Sequence, residues 1–372
     1  MLKTKFFFPV LTAFVIIGLV LVGFGCNGSG NSGVYKSIDG GETWQHLSSK
    51  EEGTTLLPPF EVTALTSDRV FTSTIYVGSK NKGIFKTTDG GQNWQAINSG
   101  LPKDGKGLKV TAIALDQLSS ETVYLACFHD KYGRIYRSED SGGSWTETYA
   151  ESTKNAKVLT LAADPINGGV LYVGTSEGGI LKSTSYGESW NALKWFEKKE
   201  ITCLTVDLND PQVVYAGTDK DLGVIKSSDG GKTWKETGAK DEKQVTYATS
   251  KKNFRINTVV IDPQNSKRVY AGTDKGIYLS KNSGDDWELV NTLMPPKSGG
   301  VFAIAVSPMQ SEVIFFSTEK IIYRSVNEGE SWETSKLETP GHVSFLVIDS
   351  SNPQTIYIGI GELQAAKKGP LF

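Results

Sequence analysis

The chain has few of the residues that build disulfide frameworks and metal sites. Its 372 residues include three cysteines and three histidines. An exported fold that depended on disulfides would carry more cysteines, so stability must come from burial. Cys127 and Cys203 are therefore expected to be buried and unpaired. The histidines lack metal-ligand spacing, and no metal site is predicted.

An excess of charge of one sign is also lacking, since 39 basic residues nearly balance 41 acidic ones. The formal net charge of -2 gives no general attraction to nucleic acid, and no nucleic-acid partner is expected. No Ala- or Leu-rich stretch of helical period runs through residues 33–361. Without a helix to follow a Gly-rich loop there is no phosphate-binding motif, so no cofactor is predicted.

Long apolar runs are lacking except near the N-terminus. Lys3 and Lys5 precede an uncharged apolar stretch over residues 6–25, which is typical of an export signal and long enough to span a bilayer. The stretch ends at Cys26, in a pattern that resembles a bacterial lipoprotein site with Cys26 as the lipidated residue. Residues 1–26 are predicted to be a signal peptide or membrane anchor, and residues 27–32 a flexible tether. The rest is expected outside, in the periplasm or on the surface of a bacterium.

What the sequence does contain is a phrase that recurs seven times. Its first copy reads GVYKSIDGGETW. Every copy ends at a tryptophan: Trp44, Trp94, Trp145, Trp190, Trp234, Trp287 and Trp332. The intervals between them range from 44 to 53 residues. A period in the forties is the size of one β-propeller blade.

Two more strand-length elements recur between the copies, an apolar one such as VTAIALD from Val110 and an aromatic one such as LYVGT from Leu171. Each repeat therefore predicts four strands, A to D, and the apolar A strands are expected to be buried on both faces. The chain begins with a C–D pair and ends with an A–B pair, which together complete a blade. Residues 33–372 are predicted to form one all-β, seven-bladed β-propeller of four-stranded antiparallel blades, a monomer. The three histidines, His46, His129 and His342, are expected in three separate blades.

The recurring phrase resembles the Asp-box, or bacterial neuraminidase repeat, S/T-x-D-x-G-x-S/T-W. The acceptor position holds Asp39, Asp89, Asp140, Ser185, Asp229, Asn282 and Asn327. These side chains can accept backbone hydrogen bonds in the turn, and the glycine two residues later allows a conformation that a Cβ would penalise. Because the motif is spread evenly around a ring, these residues and the seven tryptophans are interpreted as structural rather than catalytic.

Some Asp-box propellers are enzymes, and the catalytic residues of two such enzyme classes bear on this sequence. Sialidases need three arginines around the substrate, and of the six arginines here Arg255 alone falls near a possible site. The repeats are more similar to those of xyloglucan-degrading glycoside hydrolases, which place two aspartates between two propellers, whereas one propeller is predicted here. Aspartates such as Asp68 and Asp116 end the A strands and are interpreted as turn formers. No catalytic residue is predicted, and the glycoside hydrolase, sialidase and glycan-binding alternatives stay open.

A partner is expected on the face opposite the Asp-boxes, where strand D of one blade connects to strand A of the next. These connections carry a formal charge of +4, although the whole chain is slightly acidic. The candidate binding residues are Lys103, Lys106, Lys109, Lys240, Lys243, Lys251, Lys252, Arg255 and Trp195. The face is interpreted either as solvated loops or as a docking surface for an acidic protein segment or anionic glycan. Trp195 and Phe196 are expected to pack in the core rather than to form a sugar platform.

A single exported Asp-box propeller with a lipoprotein-like start also resembles photosystem II stability and assembly factors and, in fold, the sortilin propeller. This resemblance implies a binding scaffold without catalytic activity. The membrane is expected to be contacted through the N-terminal anchor only.

Overall fold

The computed structural model describes residues 32–47, 57–219, 222–237, 255–292, 294 and 299–361. These residues form seven four-stranded antiparallel sheets. The innermost strands of neighbouring sheets contact one another in a closed cycle. The predicted all-β, seven-bladed propeller is confirmed. The export segment, Cys26 and the tether up to residue 31 lie outside the described residues.

The chain enters the ring through two strands and then builds six intact blades. The first two strands are β1 (Val34–Ser37) and β2 (Gln45–His46). Blades 1 to 3 consist of β3 (Val62–Ser67), β4 (Ile75–Ser79), β5 (Ile84–Thr87) and β6 (Gln95–Ala96); β7 (Lys109–Leu115), β8 (Val123–His129), β9 (Tyr132–Ser138) and β10 (Thr146–Ala150); and β11 (Val158–Ala163), β12 (Leu171–Thr175), β13 (Gly179–Ser183) and β14 (Asn191–Trp195). Blades 4 to 6 consist of β15 (Ile201–Val206), β16 (Val214–Thr218), β17 (Val224–Ser227) and β18 (Lys235–Glu236); β19 (Ile256–Asp262), β20 (Asn265–Thr273), β21 (Gly276–Ser280) and β22 (Glu288–Leu289); and β23 (Ala303–Val306), β24 (Ile314–Ser317), β25 (Ile321–Ser325) and β26 (Glu333–Lys336). A short 3-10 turn spans Pro102–Gly105.

Blade 7 is assembled from both ends of the described chain. Its inner strands are β27 (His342–Ile348) and β28 (Ile356–Gly361), and β28 pairs with β1, which pairs with β2. Val34 lies opposite Gly359, and the Ile360 N–H donates to the Gly33 carbonyl at 2.9 Å. The predicted shared blade is confirmed. The ring therefore closes through backbone hydrogen bonds between segments more than three hundred residues apart.

The A strands are not buried on both faces, which corrects the prediction from their apolar sequences. In β3 and β11, only two of six residues are buried and the other four are partly exposed, whereas the B strands β4 and β12 are buried along their whole length. The reason is geometric, because a ring of seven blades leaves a central channel that one face of every A strand lines. Cys203 lies on this channel wall and is only partly buried, unlike the fully buried Cys127; both thiols are free.

Neighbouring blades are joined by a recurring pair of donors. In blade 4, Lys226 Nζ and the Tyr215 hydroxyl both donate to the Ser283 carbonyl of blade 5, at 2.8 and 2.7 Å. In blade 3, Lys182 and Tyr172 do the same to the Gly230 carbonyl of blade 4. The lysine at this position of strand C is therefore a structural link to the Asp-box turn of the next blade.

Candidate binding site at the channel mouth

The propeller has two unlike faces because of the direction in which each strand runs. The A–B turns and the Asp-box C–D turns lie on one face, and the D–A and B–C connections lie on the other. Each A strand begins at this second face, so its first residues surround the opening of the channel. We call this opening the channel mouth and the face around it the mouth face. The opposite face is called the Asp-box face.

A ring of mostly charged residues stands at the channel mouth, one from each blade just before the inward-facing wall begins. Its members are Glu61, Lys109, Lys157, Glu200, Arg255, Gly300 and His342. Both acids are paired: Lys80 Nζ lies 2.8 Å from Glu61, and the Arg255 guanidinium lies 3.0 Å from Glu200. Among the described residues, Lys109 and Lys157 have no acidic partner within ion-pair distance, although Lys157 lies over the Phe128 ring. The ring therefore presents unneutralised positive charge to the opening.

A β-bulge shapes the wall just below this ring. Six of the seven A strands shift register near their start, at the second residue of four strands and at the third residue of β7 and β27, which turns that side chain toward the channel. Three of these side chains donate to the next blade: Thr111 to the Val158 carbonyl, Thr202 to the Ile256 carbonyl and Asn257 to the Val301 carbonyl, at 2.6 to 2.9 Å. Each of the three side chains thus uses one donor within the ring and links neighbouring blades.

Apolar side chains complete the wall. Leu159, Phe302 and Phe345 line the channel, whose outer section has a volume of about 390 Å³ and whose deeper section has about 380 Å³. The site thus combines a charged opening with a partly apolar interior. Such concave sites, with a few polar groups around apolar walls, are typical of ligand pockets.

His342 was not predicted to belong to a site, and it stands in the mouth ring. Its ring stacks on Phe302 with centroids 4.2 Å apart, and burial lowers its pKa, which favours the neutral imidazole. The prediction of three separate blades for the histidines was wrong, because His46 on β2 and His342 on β27 share blade 7. The signal available in the sequence was positional: His342 begins β27, and Phe302 directly precedes β23.

The predicted basic face divides into described and undescribed parts. Lys103 and Lys106 are exposed on the connection between blades 1 and 2, which leads to Lys109 at the mouth, and Arg255 stands at the same opening. Lys240, Lys243, Lys251 and Lys252 lie outside the described residues. The structure therefore brings Lys109 and Arg255 to one cavity, whereas Lys103 and Lys106 lie on the same face outside the residues that line it, with Lys106 bridged to Lys82.

The expectation that Trp195 packs in the core was wrong. Trp195 ends the outermost strand β14 and remains 50% exposed, with its indole lying over Gly179 of the paired strand. Phe196 packs against the core between blades 3 and 4. An outermost strand has no further strand to cover it, which leaves one side of the indole in solvent. Trp195 lies at the outer edge of the mouth face, away from the channel residues.

The Asp-box turns use two acceptors each. In the first copy, the Ser37 hydroxyl accepts the Gly41 N–H at 2.8 Å, and the Asp39 carboxylate accepts the Thr43 N–H at 3.0 Å. Although burial opposes ionisation, hydrogen bonds from Thr43 and Ser37 lower the pKa of Asp39 to about 2. The glycine at position 41 has a φ of +91°, a region that favours glycine. The hydroxyl's role was missed from sequence, although the motif contains it in every copy.

The Asp-box face is acidic and carries exposed apolar side chains, neither of which was predicted. Its C–D turns contain eleven acids against Lys232 and Lys281: Asp39, Glu42, Asp89, Glu139, Asp140, Glu188, Asp229, Asp285, Asp286, Glu328 and Glu330. Of the ten large hydrophobic side chains exposed in the described part of the chain, eight lie on this face: Ile38, Val70, Phe71, Leu118, Ile166, Tyr186, Met309 and Val326. The molecule is therefore polar along its axis, with a basic mouth face and an acidic, partly apolar Asp-box face.

No catalytic centre follows from the acids at the ends of the A strands. Asp68 accepts the Val70 and Phe71 N–H groups at 2.8 and 2.9 Å, and Asp164 accepts those of Ile166 and Asn167 at similar distances. These contacts confirm the turn-forming role. In the described part of the chain, no group of three His, Cys, Asp or Glu side chains is arranged to hold a metal ion, and no helix there is long and apolar enough to cross a membrane.

Glu151 has the environment that a catalytic acid would need but not the location. Burial, with repulsion from Glu177, raises its pKa even though Tyr149 donates a hydrogen bond to it. It follows the outermost strand of blade 2, and neither section of the channel reaches it. The raised pKa is thus accounted for by packing at the edge of the propeller.

The fold and its turns define a seven-bladed propeller of the Asp-box type. Comparison with known proteins finds two groups of relatives within this class. The family model for the photosynthesis system II assembly factor YCF48 matches residues 182–362, just under half of the chain. Among curated proteins, the xyloglucanase Xgh74A of Acetivibrio thermocellus is 28% identical over 162 residues, which cover 34% of this chain and 19% of that enzyme. The chain therefore spans a small part of the curated relatives that it matches.

Solved structures include members of both groups. The GH74 xyloglucanase of Xanthomonas campestris superposes with a TM-score of 0.68 at 18% identity, covering 81% of this chain and 51% of the enzyme. YCF48 bound to a D1 peptide superposes with a TM-score of 0.60 at 15% identity, covering 82% of this chain and 94% of that one. YCF48 from Cyanidioschyzon merolae gives 0.61 at 14% identity, with 82% and 97% covered. The predicted resemblance to assembly-factor and xyloglucanase propellers is confirmed; the sortilin resemblance stays a prediction.

Proposed function

We propose that the chain is an exported binding propeller that holds an extended, acidic segment of a partner protein at its channel mouth and catalyses no reaction on it. The observation that carries this proposal is the placement of Lys109 and Arg255 at the opening of a channel cavity, on the basic face of an axially polar molecule. A segment rich in carboxylates is attracted to this face and repelled by the opposite one.

The wall of the cavity favours a peptide over a glycan. The Thr111 and Thr202 hydroxyls and one N–H of the Asn257 amide already donate to backbone carbonyls, and Phe302 adds apolar surface. A glycan needs many free hydrogen-bonding groups, whereas an acidic peptide can pair its carboxylates with the ring and bury apolar side chains below it. The peptide-bound state of the YCF48 neighbour supports a peptide ligand for a propeller of this fold.

Titration of the full chain with fluorescent peptides tests the proposal. The probes are a synthetic Glu/Ser peptide, its Lys/Ser counterpart and the D1 peptide. We expect the acidic probe to bind with an affinity that falls as salt rises, and the Lys/Ser peptide not to bind. Arg255→Glu should weaken binding by about tenfold or more, since it reverses a charge beside Glu200.

The matched control is Lys232→Glu, which reverses an exposed charge on the Asp-box face near the same part of the ring. It should leave peptide affinity unchanged within about twofold. Equal binding of the acidic and basic probes, or equal losses in the Arg255 and Lys232 variants, would contradict the proposal. If an anionic polysaccharide bound and the peptides did not, the site would be a glycan-binding site and the peptide proposal would be rejected.

Xyloglucan is the second candidate ligand, favoured by the sequence similarity to xyloglucanases. On this alternative, incubation of the chain with xyloglucan releases reducing ends, or the polysaccharide retards the chain in affinity electrophoresis. Substitution of the half-exposed Trp195 by alanine should then reduce retardation, because it is the described exposed indole on the mouth face. Without release or retardation, this alternative is rejected.

A further inference from the structure

We infer that the mouth face is the membrane-proximal face of the molecule, held against an anionic bilayer surface, so that the partner segment it takes emerges close to the membrane. This inference rests on the proposed function and deepens it by assigning the binding site a location and a second, lipid contact on its rim. Two independent observations lead to it: the side on which the chain leaves the propeller, and the axial distribution of charge.

The chain leaves the propeller on the mouth face. Strand β1 is a C strand, which runs from the mouth face toward the Asp-box turn at Asp39, so its first residue lies at the mouth face. Ser32 is fixed beside it, with its carbonyl 3.4 Å from His46 Nε2. The apolar stretch at residues 6–25 therefore connects to this face through residues 27–32.

The connection is too short to let the opposite face reach the same bilayer. Residues 27–32 span at most ~20 Å when fully extended. To reach the Asp-box face, the connecting segment would have to pass around the outer strand β2 and then run the full height of the sheet. For strands of about seven residues that height alone is ~23 Å, without the turns. A bilayer that holds residues 6–25 thus lies next to the mouth face.

Charge favours the same orientation. The described residues of the D–A connections on the mouth face carry a formal charge of +2, whereas the C–D turns of the Asp-box face contain eleven acids and two bases. Anionic lipids attract clustered lysines and repel carboxylates within about a Debye length of the surface. Lys103 and Lys106 are exposed on the mouth face outside the channel residues, and can meet lipid headgroups while the channel mouth stays open to a peptide.

The exposed apolar residues on the Asp-box face provide the competing orientation. Val70, Phe71 and Leu118 are each at least 63% exposed and could be read as a membrane wedge. They stand among the acidic turns, however, and on the far side from the chain exit, so insertion there opposes both observations.

Energy transfer in proteoliposomes tests the inference. The full chain is reconstituted into vesicles of phosphatidylcholine and phosphatidylglycerol that contain a rhodamine-labelled lipid. A donor dye is attached through p-azidophenylalanine at one of two exposed positions, Ser152→p-azidophenylalanine on the mouth face or Gln92→p-azidophenylalanine on the Asp-box face. We expect clearly stronger transfer from position 152.

Equal transfer from the two positions, stronger transfer from position 92, or failure of the full chain to associate with vesicles would each overturn the inference. Charge reversal with Lys103→Glu and Lys106→Glu should lower transfer from position 152 in phosphatidylglycerol vesicles and leave it unchanged in pure phosphatidylcholine. An equal change in both vesicle types would contradict the role of charge. Peptide binding measured on the detergent-solubilised chain tests the proposed function separately, so the two can fail independently.

Discussion

The link between blades 4 and 5 makes a quantitative prediction about stability. Lys226 and Tyr215 donate to one carbonyl, that of Ser283, at 2.8 and 2.7 Å, and Lys226 is 9% exposed. Lys226→Met keeps the aliphatic stem beside the Tyr215 ring and removes a charged donor. A hydrogen bond to a charged group contributes about 1.5–3 kcal/mol to the free energy of unfolding. Because the Ser283 carbonyl still accepts the Tyr215 hydroxyl in this variant, we expect a cost at the lower end, about 1.5 kcal/mol. Tyr215→Phe should cost about 1 kcal/mol for the same reason.

The double variant distinguishes a shared acceptor from two unrelated contacts. With both donors gone, the partly buried Ser283 carbonyl is left without its partners, and its desolvation adds about 1–2 kcal/mol to the sum of the single costs. Urea unfolding of the wild type, the two single variants and the double variant, followed by tryptophan fluorescence, measures the cycle. The control Lys235→Met removes an exposed lysine of the same blade, 3.9 Å from Asp285, and should change the free energy of unfolding by less than about 0.5 kcal/mol. Additive single costs, or a Lys226 cost as small as that of Lys235, would contradict the role of the Ser283 carbonyl as an acceptor shared by Lys226 and Tyr215.

Three further predictions concern pH and closure. The pKa of Glu151 is raised in the folded state, so folding favours its neutral form, and the stability that this form gives is lost as pH rises above about 4.5. The substitution Glu151→Gln should therefore raise the melting temperature at neutral pH and leave it unchanged near pH 4. The pKa of Asp39 is lowered to about 2 in the folded state, so its contribution to stability is present above the unfolded pKa near 3.8 and is lost as pH falls toward 2. The substitution Asp39→Asn should reduce the acid-induced loss of stability between these pH values, and an unchanged acid profile would contradict this prediction. Tyr35→Pro removes a backbone donor from β1 in the shared blade and should lower the free energy of unfolding by about 3 kcal/mol or more. Gln45→Pro lies on the exposed edge strand β2 and should lower it much less. Equal losses in the two variants would argue against closure of the ring through β1.

The architecture could be predicted because each repeat encodes its own blade. The C–D start and A–B end of the chain then determine that β1 and β28 share a sheet, as the structure confirms. The apolar A strands were misjudged because a sequence shows that residues such as Leu159 are apolar but not that one side of the ring's inner strands faces a channel. Burial in a closed ring depends on the blade number and diameter, which no single strand contains.

The candidate site was less predictable than the fold. Arg255 and Lys109 were found by their charge, but the stacking of His342 at the mouth on Phe302 of the deeper wall is a contact between blades 6 and 7. The expectation for Trp195 was wrong because it followed the usual burial of aromatic side chains and overlooked that strand D is the outermost strand of its blade. Contacts between repeats are set by ring geometry, and residue types alone do not reveal them.

The central claim, that an acidic partner segment enters the channel mouth, is tested most directly by hydrogen–deuterium exchange with and without a bound acidic peptide. Binding at the mouth should slow exchange of the backbone amides at the starts of the A strands, around Val110 and Ile256, and should leave the Asp-box turns unchanged. Protection confined to the Asp-box face, or none at saturating peptide, would contradict it.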